Sequence, residues 1–430
     1  MDKQELTKII HNILWMIFDR VFVIVMGLFV TLRVVNYYQM YDYGVYQYAL
    51  SVIAILEMGT FFVDARVVKK MYLAYDNSDV VFSVTILRLL ITFCIMLVSV
   101  VCAFLMNTDR LFIIIFVLLL LNLNVNQLKF GITNYLEYNL ESKIITIVSS
   151  IVLFIGYLFQ LYIVKLCLPI VYICLVSILV TIVNCIILFN IFFKKYNSCI
   201  NLFVGINKEL LKIVFLESLP LALAAICAGI YAHCDVLMIG GLMSMREVAV
   251  YGLAVKLVNT LQLPLNPIRE SLYPLFVKRY GDNIKAFYNL YLKISSILTW
   301  LVIVGVLLSY CALSIVFKFV NTSYADSLYV YIILSFSVIF IYNASLRSSY
   351  VTIINKGKIL MISQIISVFV NIVLNVFLIM CIGMFGAAIS TVLTQFLSLF
   401  VSNVFFGEEG KRIFSIQFKA FNPIYIIRKN

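Results

Sequence analysis

Long runs of apolar residues, separated by short polar stretches, follow one another along almost the whole chain. A transmembrane helix needs about 20 such residues, and the sequence offers about twelve blocks of this length. They lie near residues 11–35, 44–63, 80–106, 111–134, 144–164, 169–193, 213–241, 248–276, 286–316, 326–347, 359–381 and 384–406. The pattern predicts an all-α integral membrane protein, and the alternation typical of a transmembrane β-barrel is absent.

Composition and charge agree with this class. The chain is 64% hydrophobic and only 12% charged, whereas about a quarter of the residues of a soluble domain are charged. The net charge of +12 has the sign of a nucleic-acid binder. However, roughly 23 of the 32 lysines and arginines fall in the termini and in every second loop, which is a positive-inside bias. The basic balance therefore indicates topology, with both termini cytoplasmic, and predicts no nucleic-acid partner.

The chain divides into two similar halves. Residues 1–193 and 213–406 each hold six predicted spans, 194–212 is a cytoplasmic linker, and 407–430 is predicted to be a cytoplasmic interfacial tail. The segment 42–49 aligns without gaps on 247–254, at a spacing of 205 residues. Because each half has an even number of spans, both halves have the same orientation, which predicts a parallel pseudo-two-fold repeat around a central cavity.

Ionisable residues at membrane depth are rare and are candidates for function by default. The acidic ones are Asp19, Glu57, Asp235 and Glu270, and the basic ones are Arg20, Arg88, Lys256 and Arg269. The stretch from Asp235 to Phe276 has the highest density of them, and Pro264 and Pro267 interrupt it. Proline removes a helix donor, so the eighth span is predicted to bend or break there.

Three predicted spans carry polar stripes at helical spacing. The stripes are Lys256, Asn259, Asn266 and Glu270; Gln364, Ser367, Asn371 and Asn375; and Asn122, Asn126, Lys129 and Thr133. Hydrogen bonds between membrane helices average only about 0.6 kcal/mol each, so adhesion alone is a weak reason to keep so many. A hydrated cavity between two lobes explains them better.

Motifs of enzymes and metal sites are missing from the sequence. There is no GxSxG, no HExxH and no glycine-rich phosphate loop. The only histidines are His11 and His233, and the ten cysteines form no CxxC pair, so no metal site is predicted. The loops are too short to fold as a catalytic domain, and we expect no enzyme activity.

The order of several motifs resembles a known family. Leu219-Pro220 opens the predicted seventh span, Asp235 lies near its end, and EVAVYGLAVKL and YPLF follow. YDYGVYQYALSVIAILEMG in the first half, NTSYADS at 321–327 and NIVLNVFLIMCIGMFGAAIS at 371–390 complete the set. Together they resemble the lipid-linked oligosaccharide flippases of the multidrug/oligosaccharidyl-lipid/polysaccharide exporter superfamily. Ala249 departs from the pattern, because a glycine is frequent at that position.

The resemblance implies a flippase that moves undecaprenyl-pyrophosphate-linked repeat units of O-antigen or capsule across the bacterial inner membrane by alternating access. In that case cationic residues would meet the pyrophosphate, and we assign this role to Arg20, Arg88, Lys256 and Arg269. Counter-charges, or coupling to H⁺ or Na⁺, are expected from Asp19, Glu57, Asp235 and Glu270. The residues expected to contact sugar are Asn259, Asn266, Asn371 and Asn375. No other cofactor is expected, and the expected partners are membrane lipids and the polysaccharide polymerase and chain-length proteins of lipopolysaccharide assembly.

Two other functions remain open at this point. A cation-coupled multidrug antiporter of the same superfamily would favour an acidic, aromatic cavity, whereas this chain has at least as many basic as acidic residues at depth. A membrane polysaccharide polymerase or ligase would carry a long periplasmic loop, which the sequence does not contain.

Overall fold

The computed structural model describes residues 26–105, 109–196, 206–354 and 358–427, and within these ranges the chain is helical, with no strand. In the first half the described helices are α1 (Met26–Tyr37), α2 (Met40–Glu57), α3 (Ala65–Met71), α4 (Asn77–Leu105), α5 (Arg110–Gln127), α6 (Phe130–Tyr138), α7 (Ser142–Lys165) and α8 (Val171–Tyr196). They are followed by α9 (Lys208–Leu242), α10 (Met245–Gln262), α11 (Leu265–Asp282), α12 (Ile284–Val316), α13 (Asp326–Asn343), α14 (Arg347–Ile353), α15 (Lys358–Ile382), α16 (Met384–Phe396), α17 (Ser402–Val404), α18 (Gly407–Lys419) and α19 (Ile424–Ile427).

The helices match the predicted membrane spans. Among the described residues, ten helical segments are long and apolar enough to cross a membrane. Helix α1 is the described part of the first predicted span. The eighth predicted span, which is more polar, is formed by α10 and α11. The protein is therefore a multi-pass membrane protein.

The chain forms two compact units, Met1–His233 and Cys234–Asn430. The boundary between them falls inside α9, whereas the sequence places the linker at 194–212; that division into lobes stays a prediction.

The two units pack their helices in the same order. In the first unit, the packed pairs include α2–α5, α4–α5, α5–α8 and α7–α8. In the second unit, they include α10–α13, α12–α13, α13–α16 and α15–α16. Each pair in one list has its counterpart in the other, six spans further along the chain. This agreement confirms the internal repeat that the sequence predicts.

Prolines act differently at three positions. Helix α10 ends at Gln262 and α11 begins at Leu265 with Pro264 as its N-cap, so the predicted break occurs there. Pro267 lies in the first turn of α11, where the missing N–H of proline is tolerated. Pro220 lies inside α9, which begins at Lys208. The expectation that Leu219-Pro220 opens this span is therefore wrong, because the helix starts well before it.

The C-terminal helix α18 belongs to the second unit. Its buried residues are Gly410, Ile413, Ile416 and Gln417, and it packs against α12 and α17. Gln417 has no exposed surface. Its Nε2 donates to the carbonyl of Leu399 at 3.1 Å, and its Oε1 accepts from Nδ2 of Asn403 at 2.9 Å. The apolar face of this tail helix is therefore covered by protein, and its predicted place at the membrane surface stays a prediction.

Candidate functional site

A buried carboxylate in the second unit has the most developed polar surroundings of the predicted site residues. Asp235 lies near the end of α9 and is 7% exposed. Its Oδ1 accepts from Nδ2 of Asn375 at 2.6 Å, and its Oδ2 accepts from the hydroxyl of Tyr251 at 2.8 Å and from that of Thr391. These donors to the carboxylate are neutral groups.

Two further side chains complete this cluster, which we call the Asp235 cluster: Cys234, Asp235, Tyr251, Asn371, Asn375 and Thr391. The thiol of Cys234 lies 2.8 Å from Oδ1 of Asn371, which also accepts from Nδ2 of Asn375 at 3.1 Å. Asn371 and Asn375 are 1% and 0% exposed. Nevertheless, Nδ2 of Asn371 and Oδ1 of Asn375 are buried without a hydrogen-bond partner. Such groups are costly to bury, so the cluster has capacity for another ligand.

The residues of the cluster come from four helices, α9, α10, α15 and α16, and local features of the sequence position them. Asn371 and Asn375 are one helical turn apart on α15, so both face the same neighbour. Helix α16 approaches α15 closely, because a Cβ at Gly386 would lie 2.1 Å from the carbonyl oxygen of Leu378. This contact, after the turn at Gly383 with its φ of +64°, places Thr391 beside the carboxylate. The small residues of IGMFGAAIS therefore serve close helix packing.

The start of α10 follows from a local cap. Ser244, which precedes it, accepts a hydrogen bond from the backbone N–H of Arg246 at 3.3 Å, and its hydroxyl also contacts the carboxylate of Glu247. A serine followed three residues later by glutamate is a helix-start signal. The short turn between Leu242 and Met245 brings the buried Tyr251 back to Asp235.

Chemically, the Asp235 cluster combines one carboxylate with amide oxygens and hydroxyls. Hard cations such as Na⁺ prefer oxygen ligands of these kinds. The unpartnered Oδ1 of Asn375 is an oxygen still able to accept, which fits such an ion. A carboxylate in this setting could equally take up a proton. No group of three or more His, Cys, Asp and Glu side chains suited to a metal is found in the described ranges.

The other predicted site residues of the second unit lie on α10 and α11. Lys256 and Asn259 are exposed residues of α10, and they share a face because they are three residues apart. Arg269 is half-buried on α11. Asn266 and Glu270 also lie on α11, but their side chains are outside the described part of the structure. The break at Pro264 divides this predicted stripe between two helices.

In the first unit, Arg88 of α4 is held by neutral and aromatic groups. Its Nη2 donates to the hydroxyl of Thr60 at 2.8 Å, and its guanidinium lies 3.7 Å from the ring centroid of Phe130. Glu57, the last residue of α2, is half-buried and within electrostatic range of Arg88. Asp19 and Arg20 lie outside the described residues. The roles predicted for these four residues stay predictions.

Three residues of the Asp235 cluster were not predicted: Cys234, Tyr251 and Thr391. Tyr251 had a signal, since it aligns with Tyr46 in the repeat. Cys234 and Thr391 had none, because small polar residues are common in membrane helices. The structure brings Asp235, Asn371 and Asn375 together, although the sequence assigned them different roles.

Comparison with known proteins shows the family of this chain. A family model described as "Polysaccharide biosynthesis protein" matches residues 9–280. The chain belongs to this family. No similar protein was found among curated sequences.

Solved structures of transporters share the fold of this polysaccharide biosynthesis protein. An inward-facing multidrug resistance MATE family transporter of the MOP superfamily is 16% identical, with 94% of this chain and 95% of that chain covered and a TM-score of 0.68. An outward-facing MATE transporter has the same identity, coverages of 95% and 96%, and a TM-score of 0.63. A MOP superfamily transporter from Pyrococcus furiosus, described as having a binding pocket of reverse polarity, is 14% identical, with coverages of 94% and 96% and a TM-score of 0.60. At these identities the likeness shows the fold alone.

Proposed function

We propose that this protein is a flippase that translocates undecaprenyl-pyrophosphate-linked oligosaccharide repeat units, of the O-antigen or capsule type, across the bacterial inner membrane. The observation that carries the proposal is the family match over residues 9–280 in a chain with the fold of membrane exporters. A polysaccharide is assembled from lipid-linked units, and an exporter of this family would move them. The proposal includes alternating access around a central cavity, with both termini cytoplasmic.

Basic residues at membrane depth support an anionic substrate. A pyrophosphate carries negative charge, and moving bare charge through a low-dielectric layer costs several kcal/mol or more. Lys256 and Arg269 lie on the two helices that the break at Pro264 separates, and Arg88 lies in the first unit. We assign these three, with Arg20, to the pyrophosphate.

The asparagines divide into two groups. Asn259 is exposed on α10 and, with Asn266, remains our candidate for contact with sugar hydroxyls. Asn371 and Asn375, in contrast, are almost fully buried and bonded within the Asp235 cluster. Their surroundings favour a role beside the carboxylate over the predicted contact with sugar.

The Asp235 cluster is our candidate for coupling to H⁺ or Na⁺. Asp235, with Oδ1 of Asn375 and Oδ1 of Asn371, would hold the ion, and Thr391 and Tyr251 would orient the carboxylate. Binding an ion there would neutralise a buried negative charge and satisfy an unpartnered amide oxygen. The free energy of the gradient would then act on the second unit. Glu57, Asp19 and Glu270 remain as counter-charges for the cavity cations.

No enzymatic step is part of the proposal. The substrate would be supplied by glycosyl transfer on the cytoplasmic face and consumed by polymerisation on the other face. The polysaccharide polymerase and chain-length proteins of lipopolysaccharide or capsule assembly are therefore the proposed partners, together with membrane lipids.

A second candidate is a cation-coupled multidrug antiporter, which the MATE-type structural neighbours favour. Transport measurements in proteoliposomes distinguish the two functions, because an antiporter exports cationic dyes and a flippase does not.

Deletion of the gene tests the proposal. We expect loss of surface polysaccharide and accumulation of complete lipid-linked repeat units on the cytoplasmic face, both reversed by the wild-type gene on a plasmid. Single repeat units reaching the surface would instead indicate a polymerase. Unchanged polysaccharide with greater sensitivity to cationic drugs would indicate the antiporter.

A further inference from the structure

The two units share a second repeat, made of polar residues, that is distinct from the tyrosine-bearing one. Lys129 and Arg347 each follow a leucine, 218 residues apart. Asn184 and Asn403, which accept hydrogen bonds from these two cations, are 219 residues apart. The near-identical spacing and the equivalent packing of the helices show that both units contain the same cation–asparagine pair.

In the first unit, the pair joins the α5–α6 junction to α8. Nζ of Lys129 donates to Oδ1 of Asn184 at 3.1 Å. The amide of Asn184 in turn donates to the hydroxyl of Ser149 on α7 at 3.2 Å. The contact therefore ties together three helices near the cytoplasmic end that the topology predicts.

In the second unit, the pair joins the start of α14 to α17. Nε of Arg347 donates to Oδ1 of Asn403 at 2.6 Å. Its Nη2 lies 3.1 Å from the hydroxyl of Ser402 and 3.4 Å from that of Ser363 on α15. Arg347 is 4% exposed, so this guanidinium is deeply buried.

Both cations lie where a membrane helix is interrupted without a proline. In the first unit, α5 ends at Gln127 and α6 begins at Phe130. In the second unit, α13 ends at Asn343 and α14 begins at Arg347. An interruption leaves backbone groups without helix partners, and proteins place it at membrane depth only where other groups surround it. The short helices α6 and α14 are thus attached to their units partly through these side chains.

The partners of the two cations are amides and hydroxyls. The ion pairs found in the described ranges include neither Lys129 nor Arg347. An ion pair in a low-dielectric interior is difficult to separate, whereas a hydrogen bond between a cation and an amide is weaker and can be released. The pairing therefore holds the interrupted helix without fixing it permanently.

We propose that Lys129 and Arg347 are positioning residues for transport, which hold α6 against α8 and α14 against α17 and release them during each cycle. This inference rests on the proposed exporter function. It also predicts an asymmetry. Among the described residues, Arg347 donates hydrogen bonds to three side chains and Lys129 to one, so α6 is released more readily than α14.

Strengthening the contact is the sharpest test. Asn184→Asp converts the cation–amide contact of the first unit into an ion pair, and the hydroxyl of Ser149 can donate to the new carboxylate. We expect a higher melting temperature of the full-length protein in detergent, together with a fall of about fivefold or more in surface polysaccharide, as for a conformational coupling of ordinary size. Asn422→Asp, which adds the same charge at an exposed position and keeps the acceptor for the backbone N–H of Ile424, is the control and should change neither. A higher melting temperature with unchanged polysaccharide would show a purely structural role and overturn the proposal.

Weakening the contact gives a second, substrate-independent measurement. In Lys129→Met, hydrogen exchange of the backbone at residues 130–138 should speed up about tenfold or more, as expected when one hydrogen bond to a charged group is lost. Lys129→Arg should restore the wild-type rate, and residues 347–353 should exchange more slowly than 130–138 in the wild type. Equal exchange in wild type and Lys129→Met would overturn the proposal. If the wild type proves to move no lipid-linked oligosaccharide, the flippase assignment fails while these exchange results still decide the role of Lys129.

Discussion

The hydroxyl of Tyr251 donates a 2.8 Å hydrogen bond to Oδ2 of Asp235, sixteen residues earlier in the chain, and so joins α10 to α9. Tyr251 has its repeat counterpart in Tyr46, but the same spacing of 205 residues places Val30 opposite Asp235. Val30 is a buried apolar residue of α1. The tyrosine is thus shared by both units, whereas the carboxylate at this position belongs to the second unit alone. An ion bound at Asp235 would therefore be held by the second unit, whereas the equivalent position of the first unit is the apolar Val30.

Asp235→Asn should abolish the response of the protein to its coupling ion. A ligand that binds only the folded state raises stability by about 2.7 kcal/mol at a hundredfold excess over its Kd. We expect the melting temperature of the wild type in detergent to depend on Na⁺, with choline as replacement, or on pH, and that of the variant to lose this dependence. Asp326→Asn, at an exposed position in the first turn of α13, should respond like the wild type. Identical responses of wild type and Asp235→Asn to both Na⁺ and pH would exclude the coupling role.

Reversing the charge of Lys256 should block movement of an anionic lipid. Cells that carry only Lys256→Glu should lose surface polysaccharide by about tenfold or more, which corresponds to about 1.4 kcal/mol, and accumulate lipid-linked repeat units. Lys285→Glu, at an exposed position in the first turn of α12, is the matched control and should support normal amounts. Protein levels in the membrane are compared by immunoblot. Normal polysaccharide with Lys256→Glu would show that this lysine does not meet the pyrophosphate.

Gln417→Ala should destabilise the second unit. The change removes two buried hydrogen bonds, to Leu399 and to Asn403, each of which contributes about 0.5–1.5 kcal/mol net. The melting temperature should fall, and proteolysis should cut the tail near α18 more readily. Lys411→Ala, on the exposed side of the same helix, should leave both measurements unchanged. Equal melting temperatures for Gln417→Ala and wild type would mean that α18 is not docked in the membrane-embedded protein.

Gly386→Ala should separate α15 from α16. The new methyl group would overlap the carbonyl of Leu378, and overpacking of this kind costs roughly 1–3 kcal/mol. Since Thr391 lies on the same helix, the dependence on Na⁺ or pH should weaken together with the melting temperature. Gly305→Ala, on α12, meets no atom within 4 Å and serves as the control, with equal or slightly higher stability. An unchanged melting temperature for Gly386→Ala would contradict the close approach of these helices.

Helix positions were largely predictable because hydrocarbon imposes a strong and local requirement for apolar length. The break before α11 was also predictable, since Pro264 cannot donate the backbone hydrogen bond. The interruptions at Lys129 and Arg347 were not predictable, because no proline lies at either position. The contacts of these two cations are with side chains of distant helices, and the sequence does not show which helices these are.

The sequence by itself determined the membrane class, the order of the spans, the repeat of the two halves and the list of polar residues at depth. These properties follow from hydropathy, periodicity and charge along the chain, which are local quantities. Only the tertiary structure decided that Asn371, Asn375, Tyr251 and Thr391 surround Asp235, and that Lys129 and Arg347 are matched across the units. Such groupings depend on which helix faces meet, and packing between membrane helices relies on small residues and hydrogen bonds that are almost indistinguishable in sequence.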